Sequence, residues 1–138
     1  MSRTESVVNK LERGRAELAY KCVKVETERL GDKEEKKKYR SYSRKIPTMI
    51  LTNGLGQTLA FIKSKSEKGN AYSLIYDQLT EYMESDSVSG IKMPSDKNDL
   101  TEWVISCDSA TYRHITREIL AFLNWLKRFA EGLIEEEG

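Results

Sequence analysis

Residues 109–133 read SATYRHITREILAFLNWLKRFAEGL. Tyr112, Ile115, Ile119, Phe122, Leu123, Leu126, Phe129, Ala130 and Leu133 return at steps of three and four, which places them on one side of an α-helix. Ser109 offers a hydroxyl to cap the first turn and Gly132 lies near the stop. Glu135, Glu136 and Glu137 follow where the helix dipole disfavours negative charge, so a frayed acidic tail is expected. An apolar stripe of this length needs other helices to cover it.

Similar stripes lie upstream. Val8, Leu11, Leu18, Cys22 and Val25 line one face over about five turns, interrupted by Arg15, and Gly31-Asp32 supplies a stop. Tyr72, Ile75, Tyr76, Leu79, Tyr82 and Met83 predict a further helix. Leu100, Trp103, Val104 and Cys107 predict another, opened by Asp99 with Glu102 three residues on in capping-box register. Between these two, residues 85–98 collect Ser, Asp, Gly and Pro, including Gly90 and Pro94, and predict a mobile connection. Tyr39, Tyr42 and Ile46 carry a helical pattern up to Pro47, where a break or bend is expected because proline cannot donate inside a helix. Beyond it Leu51, Leu55, Leu59 and Ile62 keep four-residue spacing, although Gly54 and Gly56 each weaken a helix by about 1 kcal/mol relative to alanine. Close backbone packing is the better reason for such a glycine pair than a phosphate cradle. Met49–Thr52 and Trp103–Ser106 also read as short strands, but two fragments with no hairpin turn do not build a sheet. The expected fold class is therefore all-α: a single compact helical bundle of about five to seven helices, forming one domain over residues 1–138.

Composition narrows the chemistry. The 138 residues are 38% hydrophobic and 33% charged, with 23 basic side chains nearly cancelling 22 acidic ones, so self-repulsion does not oppose folding. No apolar run reaches membrane-spanning length, and MSRTESVV lacks the order of a signal peptide, which predicts a cytoplasmic location. Cys22 and Cys107 match no metal-binding spacing and read as ordinary buried thiols. His114 stands alone, which excludes paired-histidine acid–base catalysis and any zinc site needing two imidazoles. Residues 54–59, GLGQTL, lack the third glycine of a dinucleotide-binding turn and follow no clear strand. No catalytic cluster, metal site or cofactor is expected, nor a small-molecule substrate.

Charge is unevenly placed. Residues 32–68 hold ten basic and four acidic side chains, whereas residues 69–108 hold two and eight. On a helix, Lys33, Lys37, Arg40 and Arg44 fall within about 60° of one another, with Tyr39, Tyr42 and Ile46 turned away. Like charges so placed repel by roughly 0.2–0.5 kcal/mol per pair, a repulsion that phosphates would remove. Arg113, Arg117, Asn124 and Lys127, with Arg128 beside them, form a second basic flank next to the long apolar stripe. Both stretches also read as solvated helix faces. Tyr39, Tyr42 and Phe61 lie near basic residues, but their spacing turns most of them inward and argues against base stacking.

The segments YRSYSRKIP (residues 39–47), NGLGQTLAF (53–61), Tyr112-Arg113 and FLNWLKRFA (122–130) resemble the small subunit of the Cmr complex, the type III-B CRISPR RNA-guided effector. The resemblance extends from the first helix to Leu133. It implies an all-helical, non-catalytic protein with a role in antiviral defence, stacked with copies of itself beside the subunits that hold guide RNA. Its partners would be those backbone subunits, neighbouring small subunits and the guide/target RNA duplex, with no membrane. In the matching segments the basic positions are Arg40, Arg44, Lys45, Lys63, Lys65, Arg113, Lys127 and Arg128, to which the flank argument adds Arg117. The acidic stretch from Asp77 to Asp108 is suited to face the basic region of the next copy. Trp103 and Trp125 fit either subunit contacts or core packing. The rival reading is a helical protein-interaction module that never touches nucleic acid.

Overall fold

The structure is a computed structural model that describes residues 6–88 and 90–135. Its elements run α1 (Val7–Lys24), a 3-10 turn (Glu26–Leu30), α2 (Lys33–Asn53), α3 (Leu55–Lys65), α4 (Ala71–Glu84), α5 (Leu100–Ser106) and α6 (Ser109–Leu133). Among the described residues there is no strand, so the all-α expectation holds with six α-helices. No helix is long and apolar enough to cross a membrane among those residues.

The long stripe of α6 forms the floor of the core: Ile115, Ile119, Phe122, Leu123, Leu126 and Ala130 are fully buried. α1 and α2 pack along it from either side, and α4 closes the centre with Leu79, Tyr82 and Met83, the Tyr82 ring stacked 4.5 Å from Phe122. Burial of a side chain such as Phe122 contributes roughly 1.5–3 kcal/mol, which is why periodicity is a better guide to this fold than local propensity.

Four expectations change. α2 runs unbroken through Pro47, because Ile46 and Ile50 on either side of it are both buried and their packing outweighs the local penalty. The chain turns instead at Gly54, whose φ of 89° and ψ of 159° suit glycine alone. Met49–Thr52 lies within α2 and Trp103–Ser106 within α5, so both candidate strands are helical. The cap of α6 is Asp108, whose carboxylate accepts the Thr111 N–H at 2.8 Å, and Ser109 is the first helical residue. Finally, the N-terminal stripe is two elements: α1 ends at Lys24 and a 3-10 turn leads to Gly31, left-handed at φ 64°.

Gly56 shows the close approach that its sequence suggests. A Cβ there would meet Ile105 Cγ2 and the Tyr112 hydroxyl at 3.4 Å, and its N–H donates to that hydroxyl at 2.8 Å. The connection after α4 is held by buried Val88 and Met93, the Met93 N–H donating to the Met83 carbonyl at 2.8 Å; Ser89 lies outside the described residues. Of the acidic tail, Glu135 is described, 3.5 Å from Lys33, while Glu136 and Glu137 lie outside.

α4 depends on its cap. Asn70 accepts the Ser73 N–H at 2.9 Å and donates to the Lys65 carbonyl at 3.0 Å, tying the end of α3 to the start of α4. Asn70→Ala is expected to lower unfolding free energy by about 1 kcal/mol, read as a shift of the urea midpoint at unchanged m-value. Asn70→Asp keeps the acceptor but loses the donor to Lys65, and is expected to recover only part of that loss.

Candidate nucleic-acid interface

The nine basic residues singled out in the sequence do not share one surface. Arg44 projects from α2 and Arg128 from α6, and both reach Glu131: Arg44 Nε lies 3.5 Å from one carboxylate oxygen and Arg128 Nη1 3.6 Å from the other. That shared carboxylate joins the two helices' cations into one face. Arg113 and Arg117 are exposed on the same flank of α6, and Lys127 is half-buried four residues before Glu131. From Arg113 to Arg128 the flank runs about 22 Å along the helix axis. Arg40 sits one turn before Arg44, half-buried, and its Nε is enclosed without a hydrogen-bond partner among the described residues.

Lys45, Lys63 and Lys65 are placed elsewhere. Lys45 lies on another flank of α2, its Nζ 5.9 Å from the Tyr42 ring centroid, and Lys65 lies at the end of α3, 5.8 Å from that of Phe61. Lys63 is committed to structure. Its ammonium donates to Asp99 at 2.6 Å, and Asp99 also accepts from the Tyr76 hydroxyl at 2.6 Å and caps α5 at the Glu102 N–H. Burial pushes the Asp99 carboxyl up, but Lys63, Tyr76 and the Glu102 amide outweigh it and hold the group below the usual carboxylate range. The network joins α3, α4 and α5.

Several polar residues make contacts that periodicity hides. Arg15, which interrupts the apolar stripe of α1, donates from Nε to the Tyr82 hydroxyl at 2.9 Å and from Nη2 to Glu118 at 2.9 Å. The Tyr82 hydroxyl donates to the same Glu118 oxygen at 2.7 Å. Burial alone would lower the Arg15 pKa, but Tyr82 and Glu118 raise it above the usual value, so the guanidinium stays charged inside the bundle. His114 Nε2 lies 3.7 Å from the other Glu118 oxygen. The lone histidine thus lies at the edge of a polar network in which Arg15, Tyr82 and Glu118 join α1, α4 and α6.

The one group of potential metal ligands among the described residues is Cys22, Glu26 and Glu81, with ligand atoms within 4.8 Å of one another. A cation is already present: Lys21 Nζ lies 2.9 Å from Glu81 and 3.5 Å from Glu26. Burial first, then Glu26 and Glu81, push the Cys22 thiol far up, which opposes both thiolate chemistry and metal ligation. Gln78 supports Glu26 from α4 and accepts from Tyr39, so these groups read as a satisfied polar core. Cys107 is half-buried, more open than expected, its thiol donating to the Trp103 carbonyl at 3.2 Å. Trp103 is buried at 6% exposure, whereas Trp125 is half-buried, stacked against Phe129 and donating to Glu12 at 3.3 Å.

Comparison with known proteins agrees with this architecture. The chain is 32% identical over 121 residues to the CRISPR system Cmr subunit Cmr5 of Thermus thermophilus, covering 88% of this chain and 93% of that protein. The X-ray crystal structure of a CRISPR-associated Cmr5 family protein from the same organism matches with a TM-score of 0.68 at 28% identity, covering 97% of this chain and 100% of that one. The sequence model of the family described as CRISPR-associated protein (Cas_Cmr5) matches residues 11–133, from the second turn of α1 to the end of α6. By that match and that relative, the chain belongs to the CRISPR-associated Cmr5 family.

Proposed function

We propose that the chain is the small, non-catalytic subunit of a cytoplasmic type III-B CRISPR (Cmr) effector, acting as one helical domain that steadies the paired guide and target RNA. The observation that supports this reading is that Arg44 of α2 and Arg128 of α6 meet at Glu131 in a chain of this family, with Arg40 one turn before Arg44 and Arg113, Arg117 and Lys127 along the same flank of α6 as Arg128. In an RNA-guided particle base pairing reads the sequence, so a subunit beside the duplex needs only electrostatics directed at the backbone. A face of six cations tempered by Glu131 binds weakly alone. Copies stacked side by side align several such faces on one strand, and avidity supplies what a single copy lacks. RNA cutting falls to other subunits.

Purifying a tagged form of the chain from its host tests this. Co-purification of backbone subunits with small guide RNAs is the expected result. Recovery of protein partners with no RNA, unchanged by nuclease treatment, would instead favour an interaction module that never meets nucleic acid.

A further inference from the structure

On another flank of α2 three aromatic rings from three helices meet. Tyr42 of α2 and Tyr72 of α4 stack face to face, with centroids 3.9 Å apart and planes 12° from parallel, and Phe61 of α3 stands edge-on to Tyr72 at 5.8 Å. Core packing explains the two half-buried tyrosines. It does not explain Phe61, which is 36% exposed on the outer side of α3 although Leu59 and Ile62 of that helix are fully buried.

Two cations attend the cluster. Lys45 Nζ is 5.9 Å from the Tyr42 centroid and Lys65 Nζ 5.8 Å from that of Phe61. Both lysines are exposed, and neither has a carboxylate partner among the described residues, in contrast to Lys63 with Asp99. The carboxylate that reaches this end of α4, Glu35, accepts the Ala71 N–H at 2.9 Å and pairs with Lys38 at 3.3 Å. The patch is therefore aromatic and basic, and neither of its lysines is neutralised by a carboxylate among the described residues.

Rings with exposed, carboxylate-free ammonium groups over their faces are suited to exchange. An unpaired base offers the ring a larger stacking surface than an ammonium does, and the displaced ammonium gains a phosphate. We infer that Tyr42, Tyr72 and Phe61, flanked by Lys45 and Lys65, form a stacking platform for unpaired bases of single-stranded RNA. A double helix does not fit this chemistry, because its bases already stack on one another. The platform differs from the α2–α6 face in both location and mode of contact, and holds whether or not that face meets a duplex.

The test uses the full-length chain with two probes: a labelled oligoadenylate of about 12 nucleotides and an RNA duplex of similar length. Phe61→Leu, which keeps the residue apolar and removes the ring, is expected to weaken oligoadenylate binding between about fivefold and a hundredfold and to leave duplex binding unchanged. It should not alter the salt dependence, because it removes no charge. Lys45→Gln with Lys65→Gln should reduce the log–log salt slope for the oligoadenylate by about 1.4, the two contacts each counting for about 0.7 on a single strand. A matching thermal melt for Phe61→Leu shows that the fold is intact. Equal loss on both probes, no loss on either, or loss of self-association in place of RNA affinity would each overturn the platform. Arg117→Gln with Arg128→Gln is expected to do the opposite, weakening duplex and sparing oligoadenylate, so failure of one surface is distinguishable from failure of the other.

Discussion

Glu118→Ala is expected to cost the protein about 3–5 kcal/mol of unfolding free energy, a large share of the roughly 5–15 kcal/mol typical of a domain. Glu118 is 5% exposed and accepts from both Tyr82 and Arg15. The Arg15 side chain is only 13% exposed, so water cannot replace the carboxylate. Truncation would leave a guanidinium inside the bundle with Glu12, 3.3 Å from Nη1 and 44% exposed, as its nearest counter-charge. The loss is the desolvation penalty of that orphaned cation, not the net contribution of the pair. Two companions separate the causes. Glu118→Gln keeps the acceptor and the shape and should lose less than the alanine variant. Arg15→Met with Glu118→Leu removes both charges and should be closer to the parent than Glu118→Ala alone, by chemical denaturation with coincident fluorescence and circular dichroism transitions. A loss for Glu118→Ala below about 1 kcal/mol would mean that the network is solvated and does not organise the α1–α4–α6 junction.

Why that network escaped the sequence says what a linear pattern can carry. Helical periodicity records which residues are apolar, so Phe122, Leu126 and Ala130 declare a buried face, and α6 is legible almost to the residue. Arg15 registers only as an interruption because its partners Tyr82 and Glu118 are 67 and 103 positions away. The error at Pro47 has a related origin. The local cost of proline is a property of the residue, whereas the burial of Ile46 and Ile50 that outweighs it is a property of the assembled bundle. Gly54 was visible as an anomaly, but that it ends α2 required its backbone angles. At the candidate interface, composition identifies the cations and helical geometry groups those on a single helix. Which groups coincide depends on how α2 and α6 are rotated against one another, and that is written in neither segment. Glu131, which joins Arg44 to Arg128, carries no signal at all in isolation. Nor does Lys63 reveal that Asp99, 36 residues on, engages it.

Arg40 offers the sharpest separation of stability from function. Its Nε is buried with no hydrogen-bond partner, an arrangement that costs a folded protein about 1–3 kcal/mol. Among the described residues no carboxylate pairs with Arg40, since Glu131 engages Arg44 and Arg128. Arg40→Met keeps the apolar stem and removes the enclosed donor. It is therefore expected to stabilise the isolated protein by about 1–2 kcal/mol, raising the melting temperature by roughly 3–8 °C, and to weaken target-RNA retention by the assembled complex. One phosphate contact fewer should also reduce the log–log salt slope by about one. Arg40→Lys removes the same Nε donor but retains the charge, so it should share the gain in stability and keep the salt slope. A residue serving only to pack α2 would behave otherwise: truncating it would lower the melting temperature and leave RNA retention where it was. Opposite signs in the two measurements, with lysine restoring the salt slope and not undoing the gain in stability, are the result expected if the Arg40 charge serves RNA retention at a cost to the fold.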